Sequence, residues 1–363
     1  MNEGSPLSDV AHRLEDIRDN STDLLVVEPR MTMYAKAMKV NEDEKTEHEL
    51  ILGLPGHFDT PKETIPSDLA HRQIATHLDI PQRYYDRCRT DAPQMLSGQV
   101  NHWMAQNQDS VRMLRLHRGF CRAFLSDRYR PLDNWDLAQA VLPQLSKGFE
   151  IRSCELTERH FYIKAISHEV EPKEVGVGDL VRIGICIRNS DVGCAATSVA
   201  PFVERLICTN GMTINEMASR KRHIGRRNNG FAEDEMVTEF LTDETRQAED
   251  KAFWLKIRDT VAATAKETTL EKVVNQMKEA QGIPVEGDPV EVVRRVCQRV
   301  TVTNDEETNV MKHLIEGGDL SAYGVANAIT LQAGETADYD RSSELEKIGW
   351  QVLQLPAANF SLN

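Results

Sequence analysis

Long apolar segments are missing from this 363-residue chain. No run of about 18 apolar residues occurs, so the sequence predicts no membrane-spanning helix. Residues 1–9 are polar and lack the apolar stretch of a secretory signal, so we expect a protein of the cytoplasm. Aromatic residues make up only 6 % of the sequence, so aliphatic side chains must supply most of the core.

Paired cysteines are also missing, although the chain contains seven cysteines. Their number is odd, their spacing is scattered, and no Cys-x-x-Cys pair occurs. This pattern argues against a thiolate zinc site and against a dithiol redox centre. We therefore expect buried, reduced thiols.

Motifs of familiar catalytic sites are absent as well. The sequence has no phosphate-binding loop, no Gly-x-Gly-x-x-Gly signature, no His-Glu-x-x-His and no Gly-x-Ser-x-Gly. Its eleven histidines are scattered along the chain. We expect no cofactor, no metal and no catalytic residue, and the sequence favours a binding protein over an enzyme.

Charge is distributed unevenly. The formal net charge is −14, yet residues 111–228 carry 19 lysines and arginines against 13 acidic side chains. The negative net charge of the whole chain argues against non-specific binding to polyanions. A local basic groove is still compatible with that charge, because exposed charges act over only about 8–10 Å in physiological salt.

Two clusters supply most of this basic excess, one in residues 111–130 and one in residues 220–230. Arginine is favoured where a planar fork of donors holds a phosphate. The alternative is that these side chains form solvated strand faces and ion pairs with acidic neighbours. The predicted nucleic-acid-binding residues are Arg112, Arg115, Arg118, Arg122, Arg128, Arg130, Arg220, Lys221, Arg222, Arg226 and Arg227, with the aromatic Phe120 and Tyr129.

Periodicity predicts an α+β protein with a central, mostly antiparallel sheet flanked by helices and a helical C-terminal region. Residues 160–166 alternate as a strand does, and helical patterns dominate after residue 231. We divide the chain into an N-terminal arm with strands (1–60), an α+β core domain (61–228) and a helical C-terminal region (229–363). The first 20 residues are expected to be a polar, frayed arm with at most one short helix.

Residues 67–108 have a helical pattern. Ser67 suits the start of a helix, and Leu78–Tyr85 is typical of a turn into a second helix. The pair is similar to a helix-turn-helix, but short helix pairs joined by proline are common in proteins that do not bind DNA. A further helix is predicted over residues 91–108, where it carries Trp103.

Two turns have a specific composition. Asn189 and Ser190, followed by Gly193, suit a tight turn with side chains that cap backbone groups. Asn210-Gly211 predicts a turn that accommodates positive φ. A purely structural role, in two turns at the same edge of a sheet, is enough to account for the asparagines, the serine and the glycines at these positions.

Four separated motifs carry a family resemblance: Phe124–Asp133, Asn189–Gly193, Arg205–Met212 and Ser321–Ile329. In this order they resemble the phage- and plasmid-related proteins grouped as domain of unknown function family 932. The resemblance covers roughly residues 60–355. It implies a bacteriophage, prophage or plasmid origin, and hence the cytoplasm of a bacterial host cell, and it implies no catalytic residues.

Two functions are compatible with these observations. The first is binding of single-stranded DNA or another single-stranded nucleic acid, in recombination or strand annealing, since arginines beside aromatic rings can hold phosphates and stack bases. The second is a protein-interaction module that inhibits a host defence or restriction enzyme, with an acidic surface facing a basic partner. A homo-oligomer and a host or phage protein partner are expected under either hypothesis.

Overall fold

A computed structural model of the chain has the α+β architecture that the sequence predicts. Its strands form two sheets that are rich in antiparallel pairs, and helices flank both sheets and make up the C-terminal third. No described helix is both long and apolar enough to cross a membrane. The structure describes residues 2–40, 46–55, 62–206, 210–214, 219–221 and 243–362.

The first sheet has six strands in the order β1-β5-β6-β4-β3-β2. Neighbouring strands are antiparallel, except that β4 and β6 run parallel. β1 and β2 are the edge strands of this sheet. The six strands are β1 (Ser21–Val27), β2 (Thr32–Val40), β3 (Thr46–Gly53), β4 (Glu63–Pro66), β5 (Val111–His117) and β6 (Phe120–Ser126).

Helices α2 (Asp68–His77) and α4 (Pro93–Gln106) pack against the first sheet, and α3 (Gln82–Asp91) packs against both of these helices. Helix α2 begins where predicted, because the Ser67 side chain accepts a hydrogen bond from the backbone N–H of Ala70 at 3.2 Å. Buried apolar side chains of these helices form one cluster with those of β1, β2, β3, β5 and β6. Strands of the predicted N-terminal arm therefore share a core with helices of the predicted core domain.

The second sheet follows the order β12-β11-β10-β8-β7, with β13 paired to β11 and β9 paired to β10. All of its pairs are antiparallel. The strand predicted over residues 160–166 is β8, and every residue of β8 is buried. The strands are β7 (Phe149–Leu156), β8 (Phe161–Ser167), β9 (Lys173–Gly176), β10 (Asp179–Asn189), β11 (Thr197–Arg205), β12 (Gly211–Thr213) and β13 (Ser219–Lys221).

The remaining helices belong to the layer of the second sheet. The helical pattern predicted after residue 231 agrees with the structure from Asp243 onward, whereas residues 222–242 lie outside the described residues. These helices are α5 (Asn134–Gly148), α6 (Asp243–Thr264), α7 (Glu267–Gln281), α8 (Pro289–Arg299), α9 (Asn304–Gly317), α10 (Ala322–Glu335) and α11 (Tyr339–Leu353).

The N-terminal arm contains the one short helix that the sequence allows, but the expectation that the arm is frayed is wrong. Residues 7–20 form helix α1, which packs against α5 and β7. Val10 and Leu14 are buried in the core of the second sheet. These two apolar side chains are four residues apart and therefore lie on one face of the helix, and their burial helps to offset the cost of ordering it.

The segment before α1 covers the edge of β7. The backbone N–H of Ser5 donates to the carbonyl of Cys154 at 2.9 Å, and Gly4 has φ +70°. A Cβ on Gly4 would lie 2.4 Å from the Cys154 oxygen, so a glycine is needed for this close approach.

The predicted turn at residues 189–193 is fixed by a buried amide. The Asn189 side chain donates to the carbonyl of Leu132 at 2.8 Å and accepts from the Thr197 hydroxyl at 2.6 Å. The Ser190 hydroxyl accepts from the backbone N–H of Cys194, as the capping hypothesis predicts. Gly193 closes the turn with φ +81°.

The positive φ predicted at Asn210-Gly211 is wrong, since Gly211 is not among the glycines with positive φ. Gly211 begins β12, and a Cβ there would lie 2.2 Å from the ring of Phe202. The sequence needs glycine at this position because an aromatic ring occupies the space of a side chain.

A charged pair lies between the second sheet and α11. The Lys164 ammonium is 2.7 Å from a Glu346 oxygen, and both side chains are fully buried. Burial works to lower the pKa of Lys164, but the charge of Glu346 outweighs it and raises this pKa. The ring of Tyr339 lies 4.8 Å from the same ammonium, so the pair is enclosed by protein.

We predict that Glu346→Gln lowers the free energy of unfolding by about 3–5 kcal/mol, because it leaves a buried ammonium without its counter-charge. The double variant Lys164→Met, Glu346→Leu should recover most of this loss, since an apolar pair of similar volume needs no desolvation. Guanidinium unfolding of both variants checks this. Equal losses in the single and double variants would contradict the assignment.

Candidate nucleic-acid interface

The predicted arginines of β5 lie on opposite faces of the first sheet. Side chains alternate along a strand, so Arg112 and Arg115 point away from each other. Arg115 is buried, donates to Asp23 at 2.9 Å and to the carbonyl of Asp191 at 2.7 Å, and lies 2.7 Å from Asp133. Burial works to lower its pKa, but the nearby carboxylates outweigh burial and raise it. Arg115 thus connects three segments of the protein.

The other arginines of the hairpin also have carboxylate neighbours. Arg122 donates to both oxygens of Asp191, at 3.0 and 3.2 Å. Arg118 pairs with Asp16 at the turn between β5 and β6. Arg112 lies 3.9 Å from Glu28 and stacks on the ring of Phe124. The expectation that these four arginines share one basic groove is therefore wrong, because Arg112 lies on the opposite face of β5 from Arg115, and carboxylates bind Arg115, Arg118 and Arg122.

The cavity beside Arg115 does not suit a polyanion. Its volume is about 250 Å³, and Asp23, Asp133, Asp136 and Asp191 line it together with Arg18 and Arg115. Four carboxylates against two guanidinium groups give a negative lining. A phosphate would be repelled here.

The other predicted residues are dispersed. Phe120 is 51 % exposed at the β5–β6 hairpin. Tyr129 is buried and donates to the carbonyl of Ser190 at 3.0 Å. Arg128 is exposed and Arg130 half-buried, and each has a partner. Arg220 and Lys221 belong to β13, whereas Arg222, Arg226 and Arg227 lie outside the described residues.

Helices α2 and α3 are joined by a short turn, as the sequence pattern predicts. Residues 78–81 connect them, and Asp79 adopts a left-handed conformation with φ +52° inside this turn. The buried side chains of His71 and Tyr85 join the two helices, with His71 Nδ1 2.8 Å from the Tyr85 hydroxyl. Burial, assisted by the charge of Arg89, lowers the pKa of His71 to about 3.

A groove lies between this turn and α4. Its volume is about 850 Å³. Tyr84 is 41 % exposed, and Met95 and Trp103 are each 49 % exposed. The His102 ring lies edge-on to Trp103, with 5.1 Å between ring centroids. The lining residues are His77, Leu78, Asp79, Ile80, Pro81, Tyr84, Met95, Gly98, Gln99, His102, Trp103 and Asn107.

One buried carboxylate holds both ends of this groove. Glu28 is fully buried and lies 2.6 Å from His77 Nε2 at the end of α2. It also accepts from Asn107, just after α4, at 2.8 Å and from the Ser110 hydroxyl. Burial works to raise the pKa of Glu28, but the hydrogen bonds from His77, Ser110 and Asn107 outweigh burial and lower it. The carboxylate therefore stays ionised while it positions two helices.

A second contact fixes α4 on the edge strand β2. Asn101 accepts from the backbone N–H of Met33 at 2.6 Å and donates to the Met33 carbonyl at 2.7 Å. This two-point contact sets the rotation of α4 about its axis. The neighbouring His102 and Trp103 consequently face outward, where both are exposed.

The charges around the groove are few. Helix α4 contains no Asp, Glu, Lys or Arg. On α3, Arg83 is exposed and has no carboxylate within 4 Å in the described part of the chain. Arg87 is 3.7 Å from Asp91, and both side chains are largely exposed, so this pair contributes little. Flat rings, an uncharged helix and two available guanidinium groups suit the stacking of bases beside a few phosphates.

The sequence predicts the helices of this surface but not the exposure of their aromatic side chains. A 14-residue helix without a formal charge resembles a buried helix, so Trp103 is not among the predicted binding residues. The available signal was the adjacent pair His102-Trp103 within that uncharged helix. Among the described residues, no three His, Cys, Asp or Glu side chains group as metal ligands.

Neither a family model, nor a curated protein, nor a solved structure matches this chain. The resemblance to domain of unknown function family 932 therefore stays a prediction.

We predict that His71 makes stability depend on pH. Its pKa is near 6.5 in the unfolded chain and about 3 in the fold, so the unfolded state binds more protons between these values. Its contribution is complete above about pH 6.5 and decreases as the pH falls, by about 2 kcal/mol at pH 5.

Urea unfolding at pH 7 and pH 5 measures this difference. The variant His71→Phe should lose about 2 kcal/mol less than wild type between the two pH values. The exposed His12 offers a control, because His12→Phe should keep the wild-type pH dependence. Identical pH dependence of His71→Phe and wild type would contradict the prediction.

Proposed function

We propose that this protein binds single-stranded DNA through the exposed face of α3 and α4. The observation that carries this proposal is the exposure of Tyr84 and Trp103 in one groove beside a helix without formal charge. Stacking on an aromatic ring contributes about 1–3 kcal/mol per base and tolerates any sequence. Arg83 and Arg87, on the outer face of α3, would contact phosphates along the strand.

The surface favours an unpaired strand over a duplex. A helix-turn-helix that reads a duplex inserts the start of its second helix into the major groove and contacts many phosphates. Here, Asp79 lies in the turn before α3 and Asp86 lies on α3 itself, and both are exposed. With a net charge of −14 as well, extended contact with two phosphate backbones is unfavourable. Bases of a single strand can instead enter the groove and stack.

Recombination or strand annealing, in a bacteriophage or plasmid context, is the process that we propose for such binding. A homo-oligomer would align several grooves along one strand, so that weak contacts of each subunit add up. The acidic C-terminal region would then act as a partner-binding or competing segment.

A protein partner is the second candidate for the same groove, in line with an inhibitor of a host enzyme. Met95, Leu78, Ile80 and Pro81 give the groove an apolar part, and methionine adapts to varied partners. This candidate predicts that Trp103 matters for partner binding while oligonucleotides do not bind.

We predict that Trp103→Ala weakens binding of oligothymidylate by about 5- to 150-fold, because one stacked base is lost. Fluorescence anisotropy with a labelled strand of about 20 nucleotides measures the affinity. Phe120→Ala is the matched control, because Phe120 is equally exposed but lies on the β5–β6 hairpin. It should bind as wild type does.

A loss of affinity in Phe120→Ala, with Trp103→Ala unchanged, would place the interface on the hairpin instead. Absence of oligonucleotide binding by wild type would reject the proposal and leave the protein-partner hypothesis.

We also predict a shallow salt dependence. Two phosphate contacts, by Arg83 and Arg87, correspond to a slope of about −1.4 for log K against log salt concentration. Engagement of all six arginines of residues 111–130 would give about −4. Anisotropy titrations between about 50 and 200 mM salt distinguish the two slopes.

A further inference from the structure

One edge of the first sheet is open along β1. In the part of the chain that the structure describes, β5 is the only strand paired with β1, and this antiparallel pairing is continuous from one end of β1 to the other. The side chain of Leu25, within β1, is 63 % exposed. An edge strand presents backbone donors and acceptors that are suited to pair with a further strand.

The backbone groups that point to the open edge follow from the bonds at both ends of the β1–β5 pair. The N–H of Glu28 donates to the carbonyl of Ser110 at 2.9 Å, and the N–H of Arg118 donates to the carbonyl of Asn20 at 3.2 Å. Successive residues of a strand direct these groups to opposite sides, so the even-numbered residues of β1 bond to β5. The N–H and C=O groups of the odd-numbered residues, Leu25 among them, therefore point to the open edge.

These outward groups are unused within the described chain. The backbone N–H and C=O of Asp23 and of Leu25 have no partner among the residues that the structure describes. The Asp23 side chain, in contrast, is bound by Arg115 at 2.9 Å. The open edge therefore offers backbone hydrogen bonds, and the partner that such an edge recognises is an extended strand.

Two other sheet edges are protected. Asn101 of α4 bonds to both the N–H and the carbonyl of Met33 on β2, and β2 also contains Lys36. On β7 of the second sheet, Ser5 bonds to the carbonyl of Cys154. Lysine, proline and covering segments are the usual means of preventing edge-to-edge pairing. β1 contains no lysine, arginine or proline, so its sequence does not oppose a further strand.

A second copy of β1 fits this edge. Two identical antiparallel strands related by a two-fold axis donate and accept the same bonds, so the assembly closes as a dimer. With the axis at Leu25, each Leu25 exchanges both backbone bonds with its copy, and the two exposed side chains lie beside each other. The same register keeps the two Asp23 carboxylates about 14 Å apart along the strands, beyond the range of about 8 Å over which exposed charges repel in physiological salt.

The charges at the two ends of β1 complement each other in this arrangement. Antiparallel pairing brings the residues after β1 in one copy beside the residues before β1 in the other. Arg30, shortly after β1, is exposed and has no ion-pair partner among the described residues. Residues 15–20, the end of α1, carry three carboxylates and one arginine, and the end of a helix attracts cations. Each Arg30 would therefore meet an acidic helix end of the other copy.

We propose that β1 is an interaction surface for a second copy of this chain, and that two copies join their first sheets through an antiparallel β1–β1 pair. A copy suits this edge better than an unrelated strand, because β1 supplies both open edges and both leucines, and its flanks supply both signs of charge. The proposal gives the homo-oligomer a defined interface. It does not rest on DNA binding, since no residue that lines the groove of α3 and α4 belongs to β1.

The test measures the mass of the full chain by light scattering after gel filtration, over a series of protein concentrations. Wild type should be a dimer. Leu25→Lys should raise the dissociation constant of the dimer about 100-fold or more, because it sets two like charges opposite each other at the axis. The 63 % exposure of Leu25 leaves room for a lysine side chain in the monomer, so this variant should fold.

Two further variants make the test specific. Ile315→Lys is the matched control, because Ile315 of α9 is 70 % exposed and lies outside β1, and it should remain dimeric as wild type does. Arg30→Glu should weaken the dimer several-fold, because it places a carboxylate beside the acidic end of α1. Arg30→Glu decides the test if Leu25→Lys does not fold.

Oxidation of Leu25→Cys tests the register. Directly opposed residues that exchange backbone bonds have Cα atoms about 5.5 Å apart, which lies within the range of disulfides. Leu25→Cys should therefore form a covalent dimer under mild oxidation. Wild type should not, although its Cys194 is exposed.

A monomeric wild type would overturn the proposal. A dimer that Leu25→Lys weakens no more than Ile315→Lys does would overturn it as well, and so would a Leu25→Cys dimer without the disulfide. Oligothymidylate titrations keep this result separate from the proposed function. A wild-type dimer that does not bind oligothymidylate would reject only the proposed function, and a monomer that binds it would reject only this interface.

Discussion

The arrangement of the first sheet and its helices depends on the burial of one carboxylate, Glu28. It lies just after an edge strand, yet it contacts the end of α2 and the residues that follow α4. An ionised carboxylate inside a protein is stable only when hydrogen-bond donors surround it. Helices α2 and α4 therefore end where His77 and Asn107 can donate to Glu28. The groove between these helices consequently has a defined width. Its aromatic rings can remain exposed because their supporting contacts lie beneath them.

The two sheets use charge in different ways. In the first sheet, Arg115 and Arg122 are satisfied by aspartates from distant segments, so that their charge holds the fold together. In the second sheet, the fully buried Lys164 and Glu346 satisfy each other. Arg83 of α3, in contrast, is exposed and has no carboxylate within 4 Å in the part of the chain that the structure describes. The same residue type is thus structural at some positions and accessible at others. Counting arginines along the sequence does not distinguish these cases, whereas their partners do.

The sequence was sufficient for the α+β class and for most helices and strands, because periodicity and caps such as Ser67 are local signals. Strand alternation would also have placed Arg112 and Arg115 on opposite faces. The partners of Arg115 could not be predicted, since Asp23, Asp133 and Asp191 come from three distant segments. The uncharged helix around Trp103 was a signal in the sequence, but the exposure of Trp103 depends on how Asn101 orients α4 against β2. Local chemistry specified the elements, and long-range contacts decided which side chains stay available.

The few residues that precede α1 have a protective effect on the second sheet. β7 is an outer strand, and open strand edges invite pairing with other chains and lead to aggregation. The short backbone contact at Gly4 and Ser5 occupies part of that edge. Any fusion or truncation that displaces these residues would uncover β7, and insoluble material would then reflect lost edge protection rather than a damaged core.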